Sequence, residues 1–128
     1  MKIEHAALYC RDLEKTQTRE FFTEFFGAKA GALYRNSRGF SSYFLSFDDG
    51  ARLEIMNFPD LAPDTGNGRR CGFIHLALST GSRENVDSLT EKLRAAGYQV
   101  VSGPRVTGDG YYESQITGIE GLVLELTV

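Results

Sequence analysis

Nowhere in this sequence does an apolar run approach the ~20 residues that a membrane-spanning helix needs. The opening Met1-Lys2-Ile3-Glu4-His5 also lacks the positive and apolar regions of a secretory signal. The expectation is a soluble, cytoplasmic protein with no membrane partner. Basic residues are in deficit, with a formal net charge of −3 and a pI near 5.4, so there is no broad positive surface for nucleic acid. Cysteine is scarce. Cys10 and Cys71 form no CxxC pair and sit beside apolar runs, which reads as two free thiols with structural roles. Histidine occurs only twice, so whatever chemistry imidazole performs here rests on His5 and His75.

What is present is enough to fold. With 128 residues, 41% hydrophobic and 24% charged, the chain fits a single domain over residues 1–128, built from one core or from two small subdomains sharing one. Each histidine opens a stretch that closes on a glutamate inside an apolar run. His5 lies in Ile3-Glu4-His5-Ala6-Ala7-Leu8 and Glu54 in Gly50-Ala51-Arg52-Leu53-Glu54-Ile55, 49 positions apart. His75 lies in Phe73-Ile74-His75-Leu76-Ala77-Leu78 and Glu125 in Gly121-Leu122-Val123-Leu124-Glu125-Leu126, 50 positions apart. Two imidazoles and two carboxylates thus recur in register.

The rest of the chain follows the same duplication. Ile3–Tyr9 reads as a strand. Asp12 then caps a helix from about Leu13 to Phe26 whose buried stripe is Phe21, Phe22, Phe25 and Phe26, with Gly27 at its end. Strands follow near Ala32–Arg35, Ser42–Phe47 and Arg52–Asn57, separated by turn sequences. The second half repeats this order: a strand Gly72–Leu78, a helix from Arg83 to Ala96 capped by Ser82, then strands near Tyr98–Val101, Tyr111–Thr117 and Leu122–Val128. In that helix Val86, Leu89 and Leu93 keep helical spacing. The organisation is α+β, with module one over residues 1–57, a Pro- and Gly-rich linker over 58–71 and module two over 72–128. A module of one helix and four strands cannot cover both faces of its sheet. Two tandem βαβββ modules can curve into a half-barrel cup with the helices outside.

Strand alternation assigns the inner face. Ile3, Ala7 and Tyr9 go with His5, Arg52 and Met56 with Glu54, and Val123 and Thr127 with Glu125. A lone strand histidine is more often a hydrogen-bonded structural residue, and a lone strand glutamate a solvent-face residue. The four together differ, because burying them without a metal or partners costs several kcal/mol. Two imidazoles and two carboxylates suit a divalent cation of intermediate hardness such as Ni, Co, Zn, Fe or Mn. An open coordination position makes such an ion a Lewis acid, and a carboxylate beside it can act as a base next to a polarised carbonyl. Weaker pocket candidates are Tyr9, Arg52, Met56 and Tyr111, the last in the turn Gly108-Asp109-Gly110-Tyr111-Tyr112, read as a hairpin at the mouth of the cup. Arg69 and Arg70 read as solvated surface or an anion attractor.

The repeated modules, the opening histidine strand followed by Arg11-Asp12-Leu13 and a Phe-rich helix, the Gly50-Ala51-Arg52-Leu53-Glu54 segment and the closing Gly118-Ile119-Glu120-Gly121-Leu122-Val123-Leu124-Glu125-Leu126 resemble the vicinal oxygen chelate superfamily. This is the glyoxalase/bleomycin resistance/dioxygenase fold, and the resemblance spans essentially the whole chain. Its ligand set of His5, Glu54, His75 and Glu125 is similar to that of glyoxalase I in its short form. The epimerase of the superfamily has Gln at the position of Glu54, and the bleomycin-binding members lack the set. The resemblance implies one divalent metal ion per site, Ni or Co favoured and Zn or Mn as alternatives, and a thiol cosubstrate for which glutathione is one candidate. The implied reaction converts a 2-oxoaldehyde-thiol hemithioacetal to a 2-hydroxyacyl thioester, as in methylglyoxal detoxification by a lactoylglutathione lyase. Glu125 is then the preferred base and Glu54 its near-symmetric counterpart. It also implies a homodimer whose sites are shared between chains.

The chain departs from that pattern at Tyr9, where the bacterial glyoxalase has an arginine that grips the glutathione carboxylate, and at Asn57, one place early for an expected asparagine. Another thiol, or another metal-dependent enzyme of the superfamily such as an epimerase or a fosfomycin-type thiol transferase, therefore stays open. So does a non-catalytic small-molecule-binding protein.

Overall fold

In the computed structural model the described residues are 4–11, 13, 17–62 and 74–128. The chain divides into two compact units, residues 1–68 and 69–128. Unit one contains β1 (Ala6–Tyr9), α1 (Thr18–Phe26), β2 (Lys29–Ala30), β3 (Tyr34–Arg35), β4 (Ser41–Ser46) and β5 (Arg52–Asn57). Unit two contains β6 (Leu76–Ser79), α2 (Arg83–Ala95), β7 (Gln99–Val106), β8 (Tyr112–Thr117), a single 3-10 turn at Ile119–Gly121 and β9 (Val123–Thr127). Each unit is an α+β body with the expected βαβββ order. The sheets run β1-β5-β4-β2, with β3 also on β4, and β6-β9-β8-β7.

The register shows how closely the halves match. First and last strands pair in parallel in both units, with Ala7 opposite Glu54 and Ala77 opposite Glu125. The next strand is antiparallel in both, with Phe44 opposite Glu54 and Gln115 opposite Glu125. One-residue slippage would turn each glutamate to the other face of its sheet. The buried residues flanking the glutamates prevent it: Leu53 and Ile55 are 4% and 0% exposed, Leu124 and Leu126 both 0%. Taking any of these side chains out of water contributes about 1.5–3 kcal/mol.

The strand expected at Ala32–Arg35 is instead two short segments, β2 and β3, both laid on β4. Between them Gly31 donates its N–H to the Phe44 carbonyl at 2.8 Å, which keeps the chain tethered across the break. The corresponding strand in unit two, expected at Tyr98–Val101, runs on to Val106 as β7. It carries register shifts between Val100 and Ser102 and between Ser102 and Arg105. Gly103 sits in that irregular stretch with φ 85°, and a Cβ there would stand 2.5 Å from the Glu113 carbonyl oxygen. Only glycine permits so close an approach to β8.

The first helix begins at Thr18 rather than near Leu13. Its first turn closes through Phe21 N–H to the Gln17 carbonyl at 2.6 Å, and the Thr18 hydroxyl lies 3.1 Å from the buried Cys10 thiol, which is free. Asp12, the expected cap, lies outside the described residues, as do Cys71, Arg69, Arg70 and most of the expected linker. Of the phenylalanine stripe only Phe21 and Phe22 are fully buried, while Phe25 and Phe26 stay part-exposed. The second helix starts where expected, with Ser82 accepting a hydrogen bond from Asn85 N–H at 3.2 Å. Its buried face is Val86, Thr90 and Leu93, so Thr90 takes the place expected for Leu89. The Thr90 hydroxyl donates to the Val86 carbonyl at 2.6 Å and meets the Ser114 hydroxyl at 2.6 Å, which satisfies both buried groups.

Candidate metal centre

Both histidines stand one residue before their strands begin, rather than inside them. In unit one β1 and β5 bring His5 beside Glu54, with Nε2 3.7 Å from Oε2. In unit two β6 and β9 bring His75 beside Glu125, again with Nε2 3.7 Å from Oε2. Exposure matches as well: the side chains are 36% and 18% accessible in the first pair and 32% and 15% in the second. The four residues singled out by the repeat thus form two equivalent pairs, each within one unit.

A separation of 3.7 Å is too long for a hydrogen bond. It suits two donors of one cation, because atoms each about 2.1 Å from a metal can lie up to about 4.2 Å apart. The chemistry of the donors, neutral imidazole with carboxylate, fits a divalent ion of intermediate hardness. Among the described residues no group of three or more His, Cys, Asp or Glu side chains converges to hold a metal. Each pair by itself presents one imidazole nitrogen and one carboxylate.

The surroundings of the two pairs differ. In unit one His5 Nδ1 contacts the Glu4 carboxylate, and the other Glu4 oxygen contacts the Arg52 guanidinium. Arg52 lies over the Phe44 ring, 4.4 Å from its centroid, and the His5 ring meets the same phenylalanine edge-on at 5.3 Å. Arg52 thus balances the Glu4 carboxylate. In unit two Ile74 and Val123 stand where Glu4 and Arg52 stand, and Ile74 is 70% exposed. Here the extra polar groups come from β8 and β7. Glu113, with its side chain 12% accessible, reaches both Glu125 and Arg105, whose guanidinium is 3.9 Å away. Burial, then the negative charge of Glu125, raise the Glu113 carboxyl above its ordinary range, with Arg105 opposing; a hydrogen bond to Glu125 raises it further.

Glu4, Phe44, Arg105 and Glu113 are absent from the sequence-based site. Strand alternation from Gln115, which faces Glu125, would have placed Glu113 on the same side, but only the register identifies Gln115 as that neighbour. Of the weaker candidates, Tyr9 is 59% exposed and meets Phe58 at 6.0 Å, and Met56 is part-exposed opposite Tyr9. Tyr111 is 59% exposed in the β7–β8 hairpin, where its carbonyl accepts from Thr107 N–H at 2.8 Å. The expected hairpin at residues 108–112 is therefore present. A cleft of about 350 Å³ in unit one, lined by Leu13, Arg35, Asn36, Gly39, Phe40, Ser41 and Asn57, includes none of the four paired residues.

Residues 2–126 match the Glyoxalase/Bleomycin resistance protein/Dioxygenase superfamily, and the chain belongs to that family. It is 34% identical over 113 residues to the uncharacterized protein YqjT of Bacillus subtilis (strain 168), covering 84% of both chains. Among solved structures, a glyoxylase/bleomycin resistance protein/dioxygenase domain from Frankia sp. EAN1pec has a TM-score of 0.83 at 20% identity, over 100% of this chain and 97% of that one. A glyoxalase I mutant from Zea mays has a TM-score of 0.78 at 23% identity, over 98% of this chain but 44% of the maize protein. No helix among the described residues is long and apolar enough to cross a membrane.

Proposed function

We propose that the protein is a metal-dependent lyase of the glyoxalase I type, which isomerises a hemithioacetal of a 2-oxoaldehyde and a thiol into a 2-hydroxyacyl thioester. The observation that carries this reading is the pair of equivalent His–Glu arrangements, each at 3.7 Å and partly exposed to solvent. His5, Glu54, His75 and Glu125 would hold one divalent ion, with nickel or cobalt favoured and zinc or manganese as alternatives. When bound, that ion supplies Lewis-acid polarisation of the two adjacent substrate oxygens. The reaction is balanced internally: the carbon bearing sulfur loses a proton and the neighbouring carbonyl carbon gains one, the hydroxyl proton passes from the first oxygen to the second, and no oxidant is consumed. Glu125 takes and returns that proton, and Glu54 is its counterpart on the opposite pair.

Completing a four-donor site requires both pairs, from the two modules of one chain or from the two chains of a homodimer with shared sites. A cytoplasmic setting and a thiol such as glutathione complete the proposal. The test is thioester formation from methylglyoxal with glutathione and with other thiols, on metal-stripped protein reloaded separately with Ni, Co, Zn or Mn. Metal-dependent turnover supports the reading. Stoichiometric metal binding without turnover moves it to another reaction of the superfamily, an epimerase or a thiol transferase. One observation favours a non-catalytic role in binding small aromatic molecules: in unit one the rings of Tyr9, Phe58, Phe40 and Tyr34 form a continuous chain with spacings of 5.0–6.1 Å. A protein that binds such molecules but no divalent metal would establish that role.

A further inference from the structure

We infer that Glu4, itself held by Arg52, fixes the His5 imidazole as its Nδ1–H tautomer and turns an unprotonated Nε2 toward Glu54, an orienting device that the second module lacks. This deepens the metal reading, on which its purpose rests. An ionised carboxylate only accepts hydrogen bonds, so the contact between Glu4 and His5 Nδ1 puts the proton on Nδ1. The neutral ring then presents a bare lone pair at Nε2, 3.7 Å from a carboxylate oxygen of Glu54. Two acceptors held at that distance repel each other until a cation lies between them. Carboxylates that hold the far nitrogen of a metal-binding histidine do this elsewhere: they fix the tautomer, orient the ring and raise its basicity.

Three features show that the arrangement is built. Arg52 grips the Glu4 carboxylate by its other oxygen, so Glu4 is held at both ends. Phe44 supports both partners, with the guanidinium over its face at 4.4 Å and the His5 ring against its edge at 5.3 Å. The positions related by the repeat are Ile74, Val123 and Gln115, so no carboxylate, guanidinium or aromatic ring stands at them. Among the described residues Glu125 is the carboxylate that meets His75.

With only two histidines in the chain, nitrogen NMR of the imidazoles in metal-free protein reads the device directly, at a pH where both rings are neutral. A His75→Gln variant assigns the signals. The expected spectrum has His5 in the Nδ1–H form. Glu4→Ala moves His5 toward the Nε2–H form that imidazole prefers when unconstrained and leaves His75 unchanged, while Glu4→Gln, whose carbonyl still accepts, keeps the wild-type pattern. Arg52→Met gives a mixture. In parallel, competition titration with zinc should show about 10–100-fold weaker binding for Glu4→Ala than for Glu4→Gln. A wild-type His5 in the Nε2–H form, an imidazolium bridging Glu4 and Glu54, or a Glu4→Ala spectrum identical to wild type would each overturn the assignment. The expected tautomers in a protein that binds no metal would overturn the metal reading and leave the tautomer assignment standing.

Discussion

The two modules hold the same histidine–glutamate pair in the same register and surround it with opposite chemistry. Beside Glu54 the antiparallel neighbour is Phe44, and beside Glu125 it is Gln115. Two residues earlier on those strands stand Ser42 and Glu113, and facing these across the sheet stand Tyr34 and Arg105. Module one therefore supports its histidine with a ring, a guanidinium and a carboxylate directed at Nδ1, whereas module two loads charge beside its glutamate. A duplicated backbone can keep two ligand pairs alike while the positions around them diverge, because pairing register is set by the buried residues and leaves the open face free to vary. On the proposed function the divergence has a sense: one half grips the ion, and the other moves the proton.

The largest effect that could break this division is on turnover. Glu125→Gln should lower the isomerase rate by about 10²–10⁴-fold, the range of general base catalysis, with Glu54→Gln losing less. Rates under substrate saturation, with metal content measured on the same samples, decide it; equal losses would make the glutamates interchangeable. Next comes the helix-facing side of the sheets. The repeat sets Tyr43 against Ser114: the Ser114 hydroxyl is bonded to Thr90, whereas the buried Tyr43 hydroxyl has no hydrogen-bond partner among the described residues. Ser114→Ala should cost about 1 kcal/mol of unfolding free energy in urea. Tyr43→Phe should be neutral or stabilising by up to about 1 kcal/mol, since it removes an unsatisfied group.

The smallest expected effect is a pH dependence. Glu113 has a raised carboxyl pKa in the folded protein, so the folded state binds more protons than the unfolded chain in the window above the ordinary carboxylate value. Stability contributed at this position is present below that value and is lost as pH rises through the raised one. In metal-free protein Glu113→Gln should flatten this decline, raising the melting temperature at pH 7 relative to wild type while changing little at pH 4. Ser42→Ala, at the related position in module one, should leave the slope of melting temperature against pH unchanged.

Much of the site was legible because its residues repeat. His5 and Glu54 recur as His75 and Glu125 at offsets of 70 and 71 positions, and alternation around Leu53 and Ile55 or Leu124 and Leu126 directs each glutamate away from the buried side. The second helix was legible through Ser82 and the spacing of Val86 and Leu93. The start of the first helix was not, although its end at Phe26 with Gly27 beyond it was; at Thr18 the hydroxyl meets the Cys10 thiol, a contact between residues eight apart that no local propensity reports. The broken strand of β2 and β3 was hidden for a similar reason: Gly31 is held by Phe44 from another strand.

The amino-acid sequence alone determined the duplication, the α+β order of elements and the four residues that recur as two histidine–glutamate pairs, because periodic burial and a repeated spacing are written along the chain. Tertiary structure decided which neighbours those four residues have. Glu4 reaches His5 Nδ1 while Arg52, 48 positions further on, reaches Glu4, and Glu113 meets Glu125 only through the antiparallel register of β8 on β9. Contacts across strands depend on register and on which side chains the core buries, and both are fixed only when the whole sheet forms.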